Sequence, residues 1–155
     1  MLKAETKGLF GNTYRVYEAG KPVADLKTSS WKESSELSIN GIRFTIKRDR
    51  PFRGPFLLLD GEKVLASADK PSAVKNRFEI EYLGNIYVLK KKSVWKREFV
   101  LELGNSVVGS IKPEGYFSRS SAIVLPAEFP LILQIFIFWL ALIIWKREDA
   151  TVAAS

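Results

Sequence analysis

The sequence has no cysteine and no histidine, and only one methionine among its 155 residues. Without cysteine there is no disulfide framework, thiol nucleophile or thiolate metal site. Without histidine the commonest general base and the commonest metal ligand are missing. The acidic residues are scattered singly, with neither paired-carboxylate nor calcium-loop spacing, and no glycine-rich phosphate loop appears. One serine cluster, Ser118-Arg119-Ser120-Ser121, has no histidine to activate it and no recognisable lysine dyad beside it. These absences exclude the usual catalytic classes, so a non-enzymatic role is expected and no catalytic, cofactor-binding or metal-ligating residue is assigned. The amino-terminal Met1-Leu2-Lys3-Ala4-Glu5-Thr6-Lys7-Gly8 carries neither the apolar core of a secretory signal nor a lipidation motif. The expectation is a cytoplasmic protein, associated with membranes only peripherally.

What is present is a globular composition, 46% hydrophobic and 26% charged, with a net charge of +7 that favours acidic partners such as anionic lipid headgroups or nucleic acid. The length suits one domain, read as residues 1–149 with a tail at 150–155. Five turn signals recur about every twenty residues: Ala19-Gly20-Lys21, Asn40-Gly41, Asp60-Gly61, Gly84-Asn85 and Gly104-Asn105. Glycine and asparagine supply the positive φ that tight hairpin turns require. The spacing predicts hairpins over 13–27, 37–48, 56–67, 77–91 and 97–112, with a further strand near 119–125. In the clearest strands Ile42, Phe44 and Ile46 alternate with Arg43, Thr45 and Lys47, and Phe78, Ile80 and Tyr82 with Arg77, Glu79 and Glu81. Each such strand has one wet face and one apolar face to bury.

The longest hydrophobic run follows these strands. From Phe129 to Trp145 there is no charged residue, and Lys146-Arg147-Glu148-Asp149 closes the run. Pro130 suits the first turn of a helix and the two cations its last, so a helix is expected over 130–147. Its apolar residues face every direction, which defines either the axis of a core or a membrane span. From Leu131 to Trp145 the rise is about 22 Å, short of the roughly 30 Å of bilayer hydrocarbon. Hairpins in series close naturally into a barrel, and a barrel of more than about eight strands leaves a lumen to be filled. The two halves of the chain therefore complete each other. The expected fold is mainly β, a closed antiparallel barrel of about 11–12 strands around a buried helix whose core side chains include Leu131, Leu133, Ile135, Phe136, Phe138, Trp139, Leu140, Leu142 and Ile143. Gln134 is expected to turn its amide to a loop or water near the helix start, and Trp145 to keep its indole N–H wet at the barrel mouth.

Many hairpin strands followed by an apolar carboxy-terminal helix with a basic end, Trp139-Leu140-Ala141-Leu142-Ile143-Ile144-Trp145-Lys146-Arg147, resemble the tubby-like superfamily, and within it the phospholipid scramblase and LURP-one-related branch. The resemblance runs from about Thr13 to Arg147 and implies a barrel of about twelve strands wrapped round a central helix. It transfers no ligand residue, because the basic pocket of phosphoinositide-binding members does not align position by position. Scramblase activity is not implied either, since the cysteine cluster and the proline-rich amino-terminal region of scramblases are missing.

Two basic clusters carry the functional expectation. Lys47, Arg48, Arg50, Phe52 and Arg53 form one, and Lys90, Lys91, Lys92, Trp95, Lys96 and Arg97 the other. Cations beside an aromatic suit an anionic phospholipid or phosphoinositide surface, where Lys and Arg meet phosphate and the ring inserts. They also suit single-stranded nucleic acid, where bases stack on aromatics, and solvated loops that only keep the barrel soluble. The leading expectation is a binding or adaptor module, able also to take a protein partner, docking on anionic membrane through these loops. Two alternatives are a membrane-anchored protein whose terminal helix spans the bilayer below a basic β domain, and a small lipid-modifying or hydrolytic enzyme.

Overall fold

The structure is a computed structural model that describes residues 1–7, 13–28, 34–50, 53–70, 77–93, 95–114 and 120–154. Twelve strands run in sequence order: β1 (Leu2–Lys7), β2 (Thr13–Glu18), β3 (Lys21–Thr28), β4 (Ser34–Ile39), β5 (Ile42–Arg50), β6 (Arg53–Asp60), β7 (Lys63–Asp69), β8 (Arg77–Tyr82), β9 (Asn85–Lys91), β10 (Phe99–Leu103), β11 (Ser106–Pro113) and β12 (Ser120–Val124). Each pairs antiparallel with its neighbours in sequence, and β1 closes the ring by pairing with β12 from Leu2↔Ile123 to Glu5↔Ser120. Closure satisfies every sheet edge internally. The helix α1 (Leu131–Ala154) follows and lies inside.

The expected barrel around a buried helix is therefore the fold. Sequence reading places the first strand at Thr13, whereas the ring is completed by β1, where Lys3 and Glu5 alternate with Leu2 and Ala4 and only the latter two are buried. The helix also runs on past Arg147 to Ala154, so it includes most of the segment read as a tail. Inward positions follow the period of two along each strand, as in Phe56 and Leu58, Phe78 and Ile80, or Phe99 and Leu101, all at most 1% exposed. Outward positions carry charge, as in Arg43 and Lys47 on β5 or Glu79 and Glu81 on β8.

Eight consecutive helix residues, Ile135 to Leu142, are buried. Eight residues exceed two turns, so the barrel wall covers the helix in every direction. Leu133, Ile144 and Trp145 are buried as well, while Leu131, Ile132 and Ile143 pack half-exposed against the same core. Edge-to-face rings fix the interdigitation: Phe56 meets Trp139 at 5.1 Å, Tyr14 meets Phe138 at 5.7 Å, and Phe99 meets Trp145 at 5.7 Å. Among the described residues no helix is long and apolar enough to cross a membrane.

An up-and-down barrel places its connections alternately at two ends. At one end lie the two-residue turns between β2 and β3, β4 and β5, β6 and β7, β8 and β9, and β10 and β11, together with Met1 and the crossing from β12 to α1. At the other end lie the connections from each odd-numbered strand to the next, five of them spanning five to seven residues and that from β5 to β6 spanning two, and there α1 emerges with Lys146, Arg147, Glu148 and Asp149. At the turn end Phe129 plugs the mouth, 5% exposed, against Tyr87 at 5.1 Å and Tyr82 at 6.0 Å. Gln134 donates its side-chain N–H to the Phe129 carbonyl at 3.0 Å, the loop contact expected for its amide.

Candidate functional site

Inward positions turn polar as the strands approach the loop end. The alternation that buries Val16, Leu26, Leu37, Ile46 and Leu89 brings Tyr14, Thr28, Ser35, Arg48 and Lys91 to the same inner face near the mouth. There they meet the end of α1. The Trp139 indole donates to Ser35 Oγ at 2.6 Å in a fully buried contact, which satisfies the one polar group of that side chain. Lys146 Nζ reaches Thr28 Oγ1 at 3.4 Å and stands 5.8 Å from the centre of the Tyr14 ring. Burial lowers the Lys146 pKa from its usual value. For Tyr14, burial first and Asp149 second raise the phenol.

Two ion pairs hold the helix end to the wall. Lys91 Nζ contacts Glu148 Oε1 at 2.6 Å, and Arg97 contacts Asp149 at 3.3 Å. The Arg97 carbonyl accepts the Trp145 indole N–H at 2.8 Å, and its guanidinium lies 5.7 Å from the Trp145 ring. Trp145 is only 5% exposed, so its N–H is satisfied by backbone and not by water, contrary to the sequence expectation.

The two basic clusters share this end. The connection from β5 to β6 and that from β9 to β10 lie four strands apart in a ring of twelve, about 20–25 Å along the rim. Much of what reads as loop is strand: β5 continues to Arg50, β6 begins at Arg53, and Lys90 and Lys91 belong to β9. Lys47, Arg50 and Arg53 are exposed at the rim. Arg48 instead turns inward and caps the Phe56 ring at 4.7 Å. Phe52 falls outside the described residues.

In the second cluster Lys90 pairs with Glu102 at 2.8 Å and Lys92 with Glu98 at 3.2 Å, while Lys91 and Arg97 hold the helix end. Lys91, with 13% of its side chain exposed, is a structural cation. Lys96 and Arg97 are exposed, and Trp95 between Lys92 and Lys96 is 92% exposed. Of the serine cluster, Ser118 and Arg119 lie outside the described residues. Ser120 donates to Glu114 at 3.2 Å and Ser121 is buried, 8% exposed.

An open depression of about 330 Å³ lies over β3, β4 and β5 near the same rim, lined by Lys27, Thr28, Ser34, Ser35, Glu36 and Thr45. Lys27, Glu36 and Thr45 are register partners on the outer face, whereas Thr28 and Ser35 belong to the inner face, so this hollow spans the rim.

The turn end has the opposite character. Nine large hydrophobic side chains stand exposed among the described residues, and eight of them, Met1, Ile42, Val64, Leu83, Ile86, Leu103, Val107 and Val124, are at this end. The ninth is Trp95.

No family model, curated protein or solved structure matches the chain.

Proposed function

We propose that this protein is a non-enzymatic barrel of tubby-like type that docks on anionic phospholipid surfaces through its loop end and acts there as a binding or adaptor module. The observation that carries the reading is Trp95, 92% exposed and flanked by Lys92, Lys96 and Arg97, on the same rim as Arg50 and Arg53. Lys92 and Arg97 already pair with Glu98 and Asp149, so Lys96, Arg50 and Arg53 carry the attraction to headgroups, each contributing about 1 kcal/mol near an anionic surface, and the indole enters the interface. The twelve-strand barrel around its helix supports the tubby-like part of the proposal. Anionic lipid is favoured over single-stranded nucleic acid because the rim exposes one described aromatic side chain, where a stacking platform needs several in succession.

The test is co-sedimentation with phosphatidylcholine vesicles containing phosphatidylserine, and separately a phosphoinositide, across a salt series. Binding at low ionic strength that weakens several-fold toward 0.5 M salt, and that Trp95→Ala with Lys96→Glu removes, is expected from screened contacts of about 1 kcal/mol each. Absence of binding to either vesicle at low ionic strength sinks the proposal.

A further inference from the structure

We propose that the tight-turn end is the face through which two copies of this chain associate, end to end, about a two-fold axis. Three features of that end carry the inference, and none depends on lipid docking. The first is its surface, since four successive hairpin turns expose aliphatic side chains, from Ile42 and Val64 to Leu83, Ile86, Leu103 and Val107. Single exposed hydrophobics are ordinary, but a ring of them at one end marks a contact surface.

The second feature is Leu83. It occupies the apex of its turn with φ of 48° and is 80% exposed. The equivalent Asn40 takes a φ of 51° as a residue suited to it. A leucine there strains the backbone and contributes nothing to the barrel core, and such outliers are retained where a function uses them.

The third is size and charge. Twelve strands about 4.8 Å apart and tilted about 40° make a ring about 24 Å across, and with side chains an end of about 700 Å². This is close to the roughly 800 Å² that each partner contributes to a stable interface. Around this end Lys21, Arg43 and Lys63 stand among Glu18, Asp60, Glu62, Glu81 and Glu128, all exposed. A two-fold contact can set each basic group of one copy against an acidic group of the other, and it closes after two copies. It also keeps the two basic loop ends as far apart as the molecule permits. A head-to-tail contact would cover a loop end and would not close.

The test is sedimentation equilibrium of the full chain at micromolar concentrations, for the wild type, Leu83→Asn and Ile86→Glu. The expected wild-type behaviour is a reversible dimer of the 17.5 kDa chain. Losing one buried leucine contact should weaken it at least about tenfold. Leu83→Asn should do so while the melting temperature of the dilute monomer stays unchanged or rises, because asparagine accepts this φ. A wild type that remains monomeric, a dimer that both substitutions leave intact, or mass growing without limit would each overturn the proposal. So would a monomer that binds neutral phosphatidylcholine vesicles through Leu83, which would assign this end to lipid.

Discussion

The two ends of the barrel are built from the same twelve strands, yet they differ in connection, polarity and charge. The turn end is joined by two-residue turns, plugged by Phe129 and ringed by exposed aliphatic residues. The loop end has connections of five to seven residues save that from β5 to β6, polar inward residues and a helix tied down by Lys91–Glu148 and Arg97–Asp149. The helix imposes the difference. Its apolar stretch from Leu131 to Trp145 rises about 22 Å, enough to fill the lumen, and the charged Lys146 to Asp149 must then lie at the mouth. Strand positions facing that segment have to be polar, because an unpaired buried charge is costly. Positions facing Phe129 and Phe136 have no such demand.

The largest expected effect comes from removing what joins the ends. Eleven buried helix side chains, at about 2 kcal/mol each, amount to about 22 kcal/mol gross, more than the 5–15 kcal/mol net stability of a typical domain. Deletion of residues 131–154 should abolish cooperative thermal unfolding and the near-ultraviolet circular dichroism signal. A barrel that still melts cooperatively would show that the wall stands without its axis.

A smaller effect, confined to the turn end, follows from Gly109. A Cβ there would stand 2.7 Å from the Val124 carbonyl and 3.2 Å from the Leu125 Cα, where the chain leaves β12 to cross the mouth. Because backbone cannot yield as a flexible side chain would, Gly109→Ala should destabilise by about 1–3 kcal/mol in chemical denaturation, with vesicle binding at the loop end unchanged. A neutral substitution would mean that the crossing is loosely held.

The smallest effect belongs to the loop end and depends on pH. Burial and Asp149 raise the folded-state pKa of Tyr14. Above about pH 10 the unfolded chain has released a proton that the folded barrel retains, so the unfolded state binds fewer protons and stability falls as pH rises toward the folded-state value. Lys146 acts in the opposite sense: its folded-state pKa is lowered, so stability rises with pH between that value and about 10.4. Tyr14→Phe removes the first contribution and leaves the second. Relative to the wild type it should therefore gain stability from pH 8 to pH 10.5 in urea titrations, and a constant difference would contradict the assigned cause.

Much of this architecture is legible in the sequence because turns and cores have local signatures. Asn40-Gly41 and Gly104-Asn105 announce their hairpins, and a charge-free run from Phe129 to Trp145 announces the axis. The strand β1 is harder to read, since one buried leucine and one alanine beside Lys3 and Glu5 give too little apolar contrast. The residues of the mouth were hidden by a different assumption, that cations belong on the wet face. The alternation itself held the signal: Arg48 lies two residues beyond Ile46, and Lys91 two beyond Leu89, so both must face inward. Their partners Glu148 and Asp149 are distant in sequence and follow only from the barrel's closure and the direction of the helix. That the two basic clusters share one end follows from the same alternation of connections, once β1 fixes the strand count at twelve.

The contrast between the ends is tested most directly by one flotation assay on phosphatidylserine-containing vesicles at low salt, run on the wild type, on Trp95→Ala with Lys96→Glu, and on Leu83→Asn. The account predicts that the loop-end variant stays with the soluble fraction while the wild type and the turn-end variant float together. Flotation lost through Leu83 and kept without Trp95 and Lys96 would contradict it, and would turn the molecule the other way up on the membrane.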